Sequence, residues 1–376
     1  VDPLVLDMAA SPGGKTTHLI SRLGDRGLVL ANDSSADRIT ALRIVLQNYG
    51  AINTAVARFP GEKYGAWYPE TFDRVLLDAP CSMQGLKTTD SHPMRPITAR
   101  EQESLARRQA RLLDSAFQAV KTGGQVVYAT CTLAPEENEA VLESLLQAYP
   151  GSAQIDDISE FLPGPAPGLT SDGERSFDPQ VQRAARLWPH TFGTSGFFAA
   201  RITKTAPVDE VVEAPPNRPL EQVGQEPVGR SRIRDLAAQL ADRYGFDLPA
   251  LMEEQDLDLW QRRDTVYAVP NAFLRRFRGL PVQMLGLALG DLTTGRLVLS
   301  HEWAARFGLG FTRGRYRLPN ERVAAWLRGE DLHDFQSDGV AEKGEIVVVV
   351  DAAGRNLGRG KVLAERLKNM LPGRVV

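Results

Sequence analysis

The chain contains two cysteines, Cys81 and Cys131, and both follow the same kind of segment. Leu77-Asp78-Ala79-Pro80-Cys81-Ser82 closes an apolar run that begins at Phe72, and Ala129-Thr130-Cys131-Thr132-Leu133 closes one that begins at Gln125. If these runs are near neighbours in a parallel sheet, both thiols emerge at C-terminal strand ends, where open α/β sheets bind their ligands. A free cysteine is most often an inert small hydrophobe. Here each stands in a turn after a strand, and Cys81 is preceded by the acid Asp78. That setting favours a chemical role over a packing one. No C-x-x-C pair and no nearby Cys/His spacing exists, so neither a metal site nor a disulfide is expected. His18 falls in a helical pattern, and His92 and His190 stand beside prolines; all three read as structural.

Two further segments fit a ligand site. Leu6-Asp7-Met8-Ala9-Ala10-Ser11-Pro12-Gly13-Gly14-Lys15-Thr16-Thr17 joins a strand to a helix. Small residues at such a turn let a ligand approach the backbone, and the helix start offers free N–H groups. The run is neither G-x-x-x-x-G-K-[ST] nor G-x-G-x-x-G, which argues against a P-loop and against a nicotinamide dinucleotide. In Ala31-Asn32-Asp33, at the end of a second strand, the acid is placed to accept hydrogen bonds from a ribose. Asp33 could equally cap the helix that follows, unless Ser34 or Ser35 does so.

These residues need elements to hold them. Strand patterns at 4–7, 27–32, 72–78 and 125–130 alternate with helical ones at 15–23, 36–49, 98–121 and 136–149, and a strand at 196–202 closes the series. Alternation of this length predicts an α/β fold with a parallel sheet covered on both faces, doubly wound and Rossmann-like. Residues 205–231 carry five prolines and five acids and read as an extended linker. Residues 232–376 open with a helix near 233–244. Short strand patterns then follow at 285–289, 296–299, 312–317, 346–350 and within 357–371, as in a small β-rich barrel.

Composition bounds the rest. The 376 residues are 43% hydrophobic and carry a formal charge of −3, which excludes a disordered chain and a protein that coats nucleic acid by bulk charge. The longest clean apolar run, 346–350, is far shorter than the ~18 residues that suggest a membrane helix. Two cysteines point to a reducing, cytoplasmic setting. The chain opens on Val1 directly in a strand, as expected of a piece whose natural N-terminal portion is missing.

The motifs Ala9-Ala10-Ser11-Pro12-Gly13-Gly14-Lys15-Thr16, Asp78-Ala79-Pro80-Cys81-Ser82 and Ala129-Thr130-Cys131-Thr132 resemble, in order, those of the Sun/Nop-type RNA (cytosine-5) methyltransferases. The run Thr132-Leu133-Ala134-Pro135-Glu136-Glu137-Asn138-Glu139 and the strand Gly196-Phe197-Phe198-Ala199 fit as well. Toward the end, Gly354-Arg355-Asn356-Leu357-Gly358-Arg359-Gly360-Lys361 and Leu367-Lys368-Asn369-Met370-Leu371-Pro372 resemble the PUA-like module of the bacterial RsmF-type branch, which methylates small-subunit ribosomal RNA.

The resemblance implies a class I methyltransferase sheet over 1–204 and an RNA-binding region over 232–376. It further implies S-adenosylmethionine as methyl donor, held by Ala9, Ala10, Ser11, Pro12, Gly13, Gly14 and Lys15, with Asp33 on the ribose, Arg38 supporting it and Asp78 at the methionine end. The product would be 5-methylcytosine. Carbon-5 of cytosine is a poor nucleophile until a thiolate adds to carbon-6, with Asp78 at the N3 edge and a base needed to release the carbon-5 proton. Chemistry alone lets either cysteine attack. By resemblance Cys131 attacks and Cys81 resolves the adduct, while Lys15 supplies the cation that a thiol of pKa ~8.5 needs to ionise.

Three positions depart from the pattern: Pro60 where the family has an adenine-reading aspartate, Met83 where a glycine follows P-C-S, and Lys87-Thr88-Thr89-Asp90 where a longer basic stretch is usual. RNA phosphates are expected at Arg95, Arg100, Arg107, Arg108 and Arg111, at the alternating Arg313, Arg315 and Arg317, and over 355–376, with six basic residues against one acid, Glu365. The target base would be unpaired or flipped out. A monomer acting on RNA, without metal or membrane, is the resulting expectation. The alternatives are a transfer RNA methyltransferase, a catalytically weak RNA-binding protein of the same fold, and a small-molecule methyltransferase.

Overall fold

The computed structural model describes residues 2–86, 96–333, 335 and 341–373. Residues 87–90, His92, Arg95 and Arg374 lie outside the described residues. The chain divides into two compact units, one built from 1–16, 28–42 and 56–216 and the other from 17–27, 43–55 and 217–376.

From Leu4 to Lys204 the elements run β1 (Leu4–Asp7), α1 (Gly14–Leu23), β2 (Leu28–Asn32), α2 (Ala36–Tyr49), β3 (Thr54–Ala57), α3 (Tyr64–Trp67) and β4 (Phe72–Asp78). There follow α4 (Ala99–Ala119), β5 (Val120–Thr130), α5 (Glu139–Ala148), β6 (Ala153–Asp156), β7 (Ala185–Leu187), α6 (Pro189–Phe192) and β8 (Phe197–Lys204). Every residue of β1, β2 and β3 is buried, as expected of strands covered on both faces. The sheet order is β3-β2-β1-β4-β5-β8-β6, with β7 beside β8. β1 pairs parallel with β2 and β4, and β4 parallel with β5, whereas β8 is antiparallel to β5, β6 and β7. This is the doubly wound α/β layer expected from the alternation. The order reverses between β1 and β4, so the crevice of such a sheet opens at the C-terminal ends of those two strands.

Some boundaries differ from the expectation. β3, β6 and β7 were not foreseen, being three or four residues long and too short to show a period. The helix expected to reach 121 stops at Ala119, because Val120 already pairs with Phe72 and begins β5. A shift in that pairing lies where Gly123 takes φ +79. At its start α4 has a complete capping box: Thr98 Oγ1 accepts from the Glu101 N–H at 3.2 Å and the Thr98 N–H donates to Glu101 Oε2 at 3.0 Å. α5 begins at Glu139 rather than 136, since Pro135–Glu137 forms a tighter 3₁₀ turn.

In the second unit the elements are β9 (Gln225–Pro227), α7 (Arg230–Tyr244), α8 (Leu248–Glu254), β10 (Leu257–Arg262), β11 (Thr265–Pro270), α9 (Asn271–Arg276), β12 (Val282–Leu285), β13 (Leu287–Thr293) and β14 (Arg296–Leu299). Then come α10 (His301–Phe307), β15 (Arg315–Arg317), α11 (Asn320–Leu327), β16 (Leu332–His333), β17 (Ile346–Val350), β18 (Asn356–Val362) and β19 (Arg366–Asn369). One sheet runs β14-β13-β11-β10-β9 and another β15-β17-β18-β19-β16. Leu240, Leu259, Leu289, Trp303 and Val348 share one apolar core, and Trp326, Val347, Val349 and Leu367 another. Every residue of Ile346–Val350 is buried, Val348 and Val350 in the first core and Val347 and Val349 in the second, which explains its unbroken apolar sequence.

Three expectations change here. The strand pattern at 285–289 is broken at Gly286, whose φ is +60 and whose absent side chain lets the Ala268 carbonyl approach. The strand at 312–317 shrinks to Arg315–Arg317, because Gly314 turns at φ +63. Arg313 is therefore not on the strand. The end of the acidic, proline-rich stretch joins a sheet, β9 pairing with β10. Among the described residues no helix is long and apolar enough to cross a membrane.

One buried ion pair ties the first unit together. Arg186 on β7 and Glu139 at the start of α5 are both fully buried. Arg186 Nε donates to Glu139 Oε1 at 2.8 Å, and its Nη1 to the Leu133 carbonyl at 2.8 Å. Removing one partner leaves an uncompensated buried charge. Arg186→Met is expected to cost about 3–5 kcal/mol, read as a lower urea midpoint.

Candidate active site

The site grows from the register of β4 and β5. Asp78 lies opposite Ala129 in the parallel pair, and the Ala79 N–H donates to the Ala129 carbonyl at 2.8 Å. The two chains leave the sheet side by side, and Cys81 Sγ and Cys131 Sγ come within 3.2 Å. Both are free thiols, partly buried. Sulfur pairs this close share one proton readily. The Cys81 thiol, as donor, holds the Cys131 thiol below its usual range, helped by the Lys15 charge and opposed by burial and by Asp78. That shared hydrogen bond, with burial, pushes Cys81 well up.

The opposite wall comes from β1. Gly13 at φ +116 makes a turn that a side chain would resist, and α1 begins at Gly14. Lys15 then extends its Nζ to Asp78 Oδ2 at 2.7 Å, an ion pair that is partly exposed. The Lys15 ammonium also lies 5.7 Å from the Phe197 ring centre. Lys15 and Asp78, 63 residues apart, thus meet across the reversal point of the sheet order.

Next to the thiols is a pocket of about 420 Å³. Met8, Ala9, Gly61 and Leu112 give it apolar walls, and Asp33, Arg38, Asp78, Cys81 and Cys131 also line it. Asp33 is almost completely buried. Its Oδ2 accepts from the Ser11 N–H at 3.3 Å and its Oδ1 from the Ser35 N–H at 2.9 Å, and Arg38 Nη2 lies 3.5 Å away. Arg38 also donates to the Ser11 carbonyl at 2.6 Å. Ser35 takes the helix cap, its Oγ accepting from the Arg38 N–H at 3.4 Å, so Asp33 is not needed there and lines the pocket. Ala10, Pro12, Gly13, Gly14 and Lys15 do not line this pocket; Ser11 reaches it only through Asp33 and Arg38. Pro60 does not line it either. Its carbonyl accepts from the Lys63 N–H, and the neighbouring Gly61 supplies the wall, where a side chain would strike Leu112 and Met8.

Several residues that position the thiols carried no assigned role in the sequence reading. Glu137 is fully buried, and its Oε2 accepts from the Ser82 N–H at 3.0 Å and from Gln109 Nε2 at 2.8 Å. Gln109 Nε2 also donates to the Pro80 carbonyl at 2.8 Å. Asn138 Oδ1 accepts from Thr130 Oγ1 at 2.6 Å, and its Nδ2 donates to the Thr132 carbonyl at 3.0 Å. One acid and one amide thus brace the segments on either side of both sulfurs. The signal was present as the polar run after Thr132, but a run of acids reads equally as a helix start. Asp7, the last residue of β1, is buried, and its Oδ2 accepts from Thr16 Oγ1 at 2.7 Å. Burial pushes its carboxyl up to about 7, against the pull of that hydrogen bond.

The loop after Cys81 is clamped by main chain: the Gly85 N–H donates to the Cys131 carbonyl at 3.0 Å and the Gly196 N–H to the Gly85 carbonyl at 2.6 Å. Met83, where a glycine was the expected pattern, takes φ +59 and is exposed, a conformation costing a side chain roughly 1–2 kcal/mol. On α4, Arg107 pairs with Glu103 and Arg108 with Glu62, so these two arginines are already engaged within the unit.

The sequence model of the family described as 16S rRNA methyltransferase RsmB/F matches residues 2–203. The chain is 32% identical over 381 residues to the ribosomal RNA small subunit methyltransferase F of Aeromonas hydrophila, covering 100% of this chain and 74% of that one. It is also 32% identical over 372 residues to the same-named protein of Klebsiella pneumoniae, covering 99% and 73%. Among solved structures, a methyltransferase homologue from Pyrococcus horikoshii is 32% identical with a TM-score of 0.46, covering 54% of this chain and 61% of its own.

The brace makes a direct prediction. Glu137→Ala strands the Ser82 N–H and the Gln109 amide, at a cost of about 1–3 kcal/mol, and lets a thiol reagent label Cys81 and Cys131 faster. Glu137→Gln keeps one acceptor oxygen and should lie between the two in both denaturation and labelling.

Proposed function

The chain belongs to the 16S rRNA methyltransferase RsmB/F family, and from that premise we propose that it forms 5-methylcytosine in small-subunit ribosomal RNA through a covalent adduct on Cys131. The observation that carries this reading is the pair of sulfurs 3.2 Å apart beside the Lys15–Asp78 pair. Neither thiol is tied up in a disulfide, and the two differ in proton affinity in the direction the chemistry needs.

S-adenosylmethionine is the methyl donor this pocket suits. A nucleoside carrying a cationic sulfur needs a buried acceptor for its ribose, apolar walls and nearby negative charge. Asp33, the Met8 and Leu112 surfaces, and Asp78 meet those needs. Asp33 would hold the ribose with Arg38 and Ser11 fixing its orientation. When bound, the cofactor supplies an electrophilic methyl group.

The protein's own residues do the rest. The Cys131 thiolate adds to carbon-6 of the cytosine, forming a C–S bond and placing the electron pair toward carbon-5. Asp78 meets the N3 edge of the ring, steadied by Lys15. After carbon-5 has been methylated, its proton passes to a base and the C6–S bond breaks. Cys81, which holds its proton tightly beside the departing sulfur, stabilises the Cys131 thiolate as it leaves. The region 232–376 is assigned to holding the RNA.

Cys131→Ala should abolish methyl transfer from labelled cofactor to ribosomal RNA. Cys81→Ala should instead accumulate a protein–RNA adduct that survives a denaturing gel. If Cys131→Ala is the variant that traps the adduct, the two roles are exchanged, and if neither variant affects transfer the covalent route is wrong. A second expectation follows from electrostatics. The Lys15 charge favours the Cys131 thiolate, so the rate rises with pH as that thiol ionises. Lys15→Ala removes the cation, raises the thiol's proton affinity and moves this rising limb to higher pH. An unshifted limb in a pH–rate profile would refute the role given to Lys15.

A further inference from the structure

Of the six basic residues expected to form a basic face over 355–376, three already have partners within the chain. Arg355 pairs with Asp351, Arg366 with Asp331, and Arg359 donates to the Leu299 carbonyl. Positive charge without carboxylate partners collects elsewhere in the second unit, around a cleft of about 1270 Å³. We infer that this cleft holds the phosphate backbone of the RNA, with Arg313, Arg315 and Arg317 as its phosphate-binding side chains; the inference rests on the ribosomal RNA reading above.

The geometry is specific. β15 is the edge strand of its sheet and pairs parallel with β17, Arg315 beside Val348 and Arg317 beside Val350. Tyr316 packs toward the Trp326 core and its ring lies 4.9 Å from that of Phe335. Alternation along the strand therefore sends Arg315 and Arg317 out on the same side, ~7 Å apart. Arg313 comes from the bend before Gly314 rather than from the strand, yet it lines the same cleft. All three side chains are exposed.

Their partners leave their charge free. Arg313 donates to the Asp242 carbonyl at 3.4 Å and Arg315 to the Leu309 carbonyl at 3.3 Å, and among the described residues none of the three pairs with a carboxylate. Glu345 on the cleft wall is already claimed by Arg243 and Arg296. Lys343 adds a further cation to the lining. The lining holds five cations, Arg243, Arg313, Arg315, Arg317 and Lys343, against three acids, Asp242, Glu342 and Glu345, and such a local excess of positive charge in a net-acidic chain attracts a polyanion. Charged residues also keep edge strands from pairing with other chains. That explanation covers Arg315 and Arg317 but gives no reason for Arg313, which is off the strand, to join them in the same cleft.

The test uses the full chain and a fluorescently labelled ribosomal RNA hairpin with a single-stranded loop, with binding followed by anisotropy over a range of salt. The triple variant Arg313→Gln, Arg315→Gln, Arg317→Gln should bind roughly tenfold more weakly. Its slope of log affinity against log salt should be shallower by about 2, from roughly 0.7 per lost phosphate contact. The matching triple change to Lys should keep most of the slope. Unchanged thermal unfolding and unchanged labelling of the two thiols would show that the fold is intact. An unaltered slope and affinity in the Gln variant overturns the inference. So does a Gln variant that binds RNA normally but self-associates, which would leave the arginines as edge protection. Competition by poly-glutamate as effective as by RNA of equal charge would assign the cleft to acidic peptides and overturn it too. Failure of the RNA-bound wild-type chain to methylate ribosomal RNA would count against the proposed function and not against the cleft.

Discussion

A hydrogen bond between two sulfur atoms, Cys81 to Cys131 at 3.2 Å, is the contact around which the first unit is organised. A proton shared between them favours the thiolate of one sulfur at the expense of the other. That sharing needs the sulfurs to stay close while neither chain collapses onto the other. The parallel register of β4 and β5 brings the strand ends level, and Glu137 and Asn138 brace the segments beyond them. The brace is itself anchored, because Glu139, next in the chain, is locked to the fully buried Arg186. A run of three consecutive residues, Glu137 to Glu139, therefore links the two sulfurs to the core.

The crevice takes its position from topology. Strand order reverses between the parallel neighbours β1 and β4, so the turns after these two strands leave the same edge of the sheet side by side. Lys15 and Asp78 meet there. Asp33, at the neighbouring strand end, owes its availability to a local division of labour: Ser35 caps α2, and the carboxylate is left to face the pocket with both oxygens steadied by main-chain N–H groups. Met83, immediately after Cys81-Ser82, takes a left-handed conformation.

Charge is distributed on a different principle. A chain of net charge −3 can grip a polyanion only through a local excess of cations. Counting basic residues along the sequence locates that excess poorly, because ion pairs form in space. Arg355 and Arg366 find Asp351 and Asp331, and Arg107 and Arg108 find Glu103 and Glu62. The arginines around Gly314 meet only carbonyl oxygens or no partner among the described residues.

Much of this molecule could be read without its coordinates. The near-continuous apolar runs of β1 and β2 and the helices that alternate with the strands announce a covered parallel sheet, since strands buried on both faces carry such runs. The placement of Cys81, Cys131, Asp78 and Asp33 follows from where the strand patterns end. Short strands such as β3, β6 and β7 stayed hidden because three or four residues show no period, and the α4–β5 boundary because Val120 suits either neighbour. What the tertiary structure alone decided is pairwise: that the two sulfurs meet, which acid braces the loops, and which arginines meet no carboxylate. Those outcomes depend on distances between groups tens of residues apart, and a linear pattern records identity and spacing but no distance across the fold.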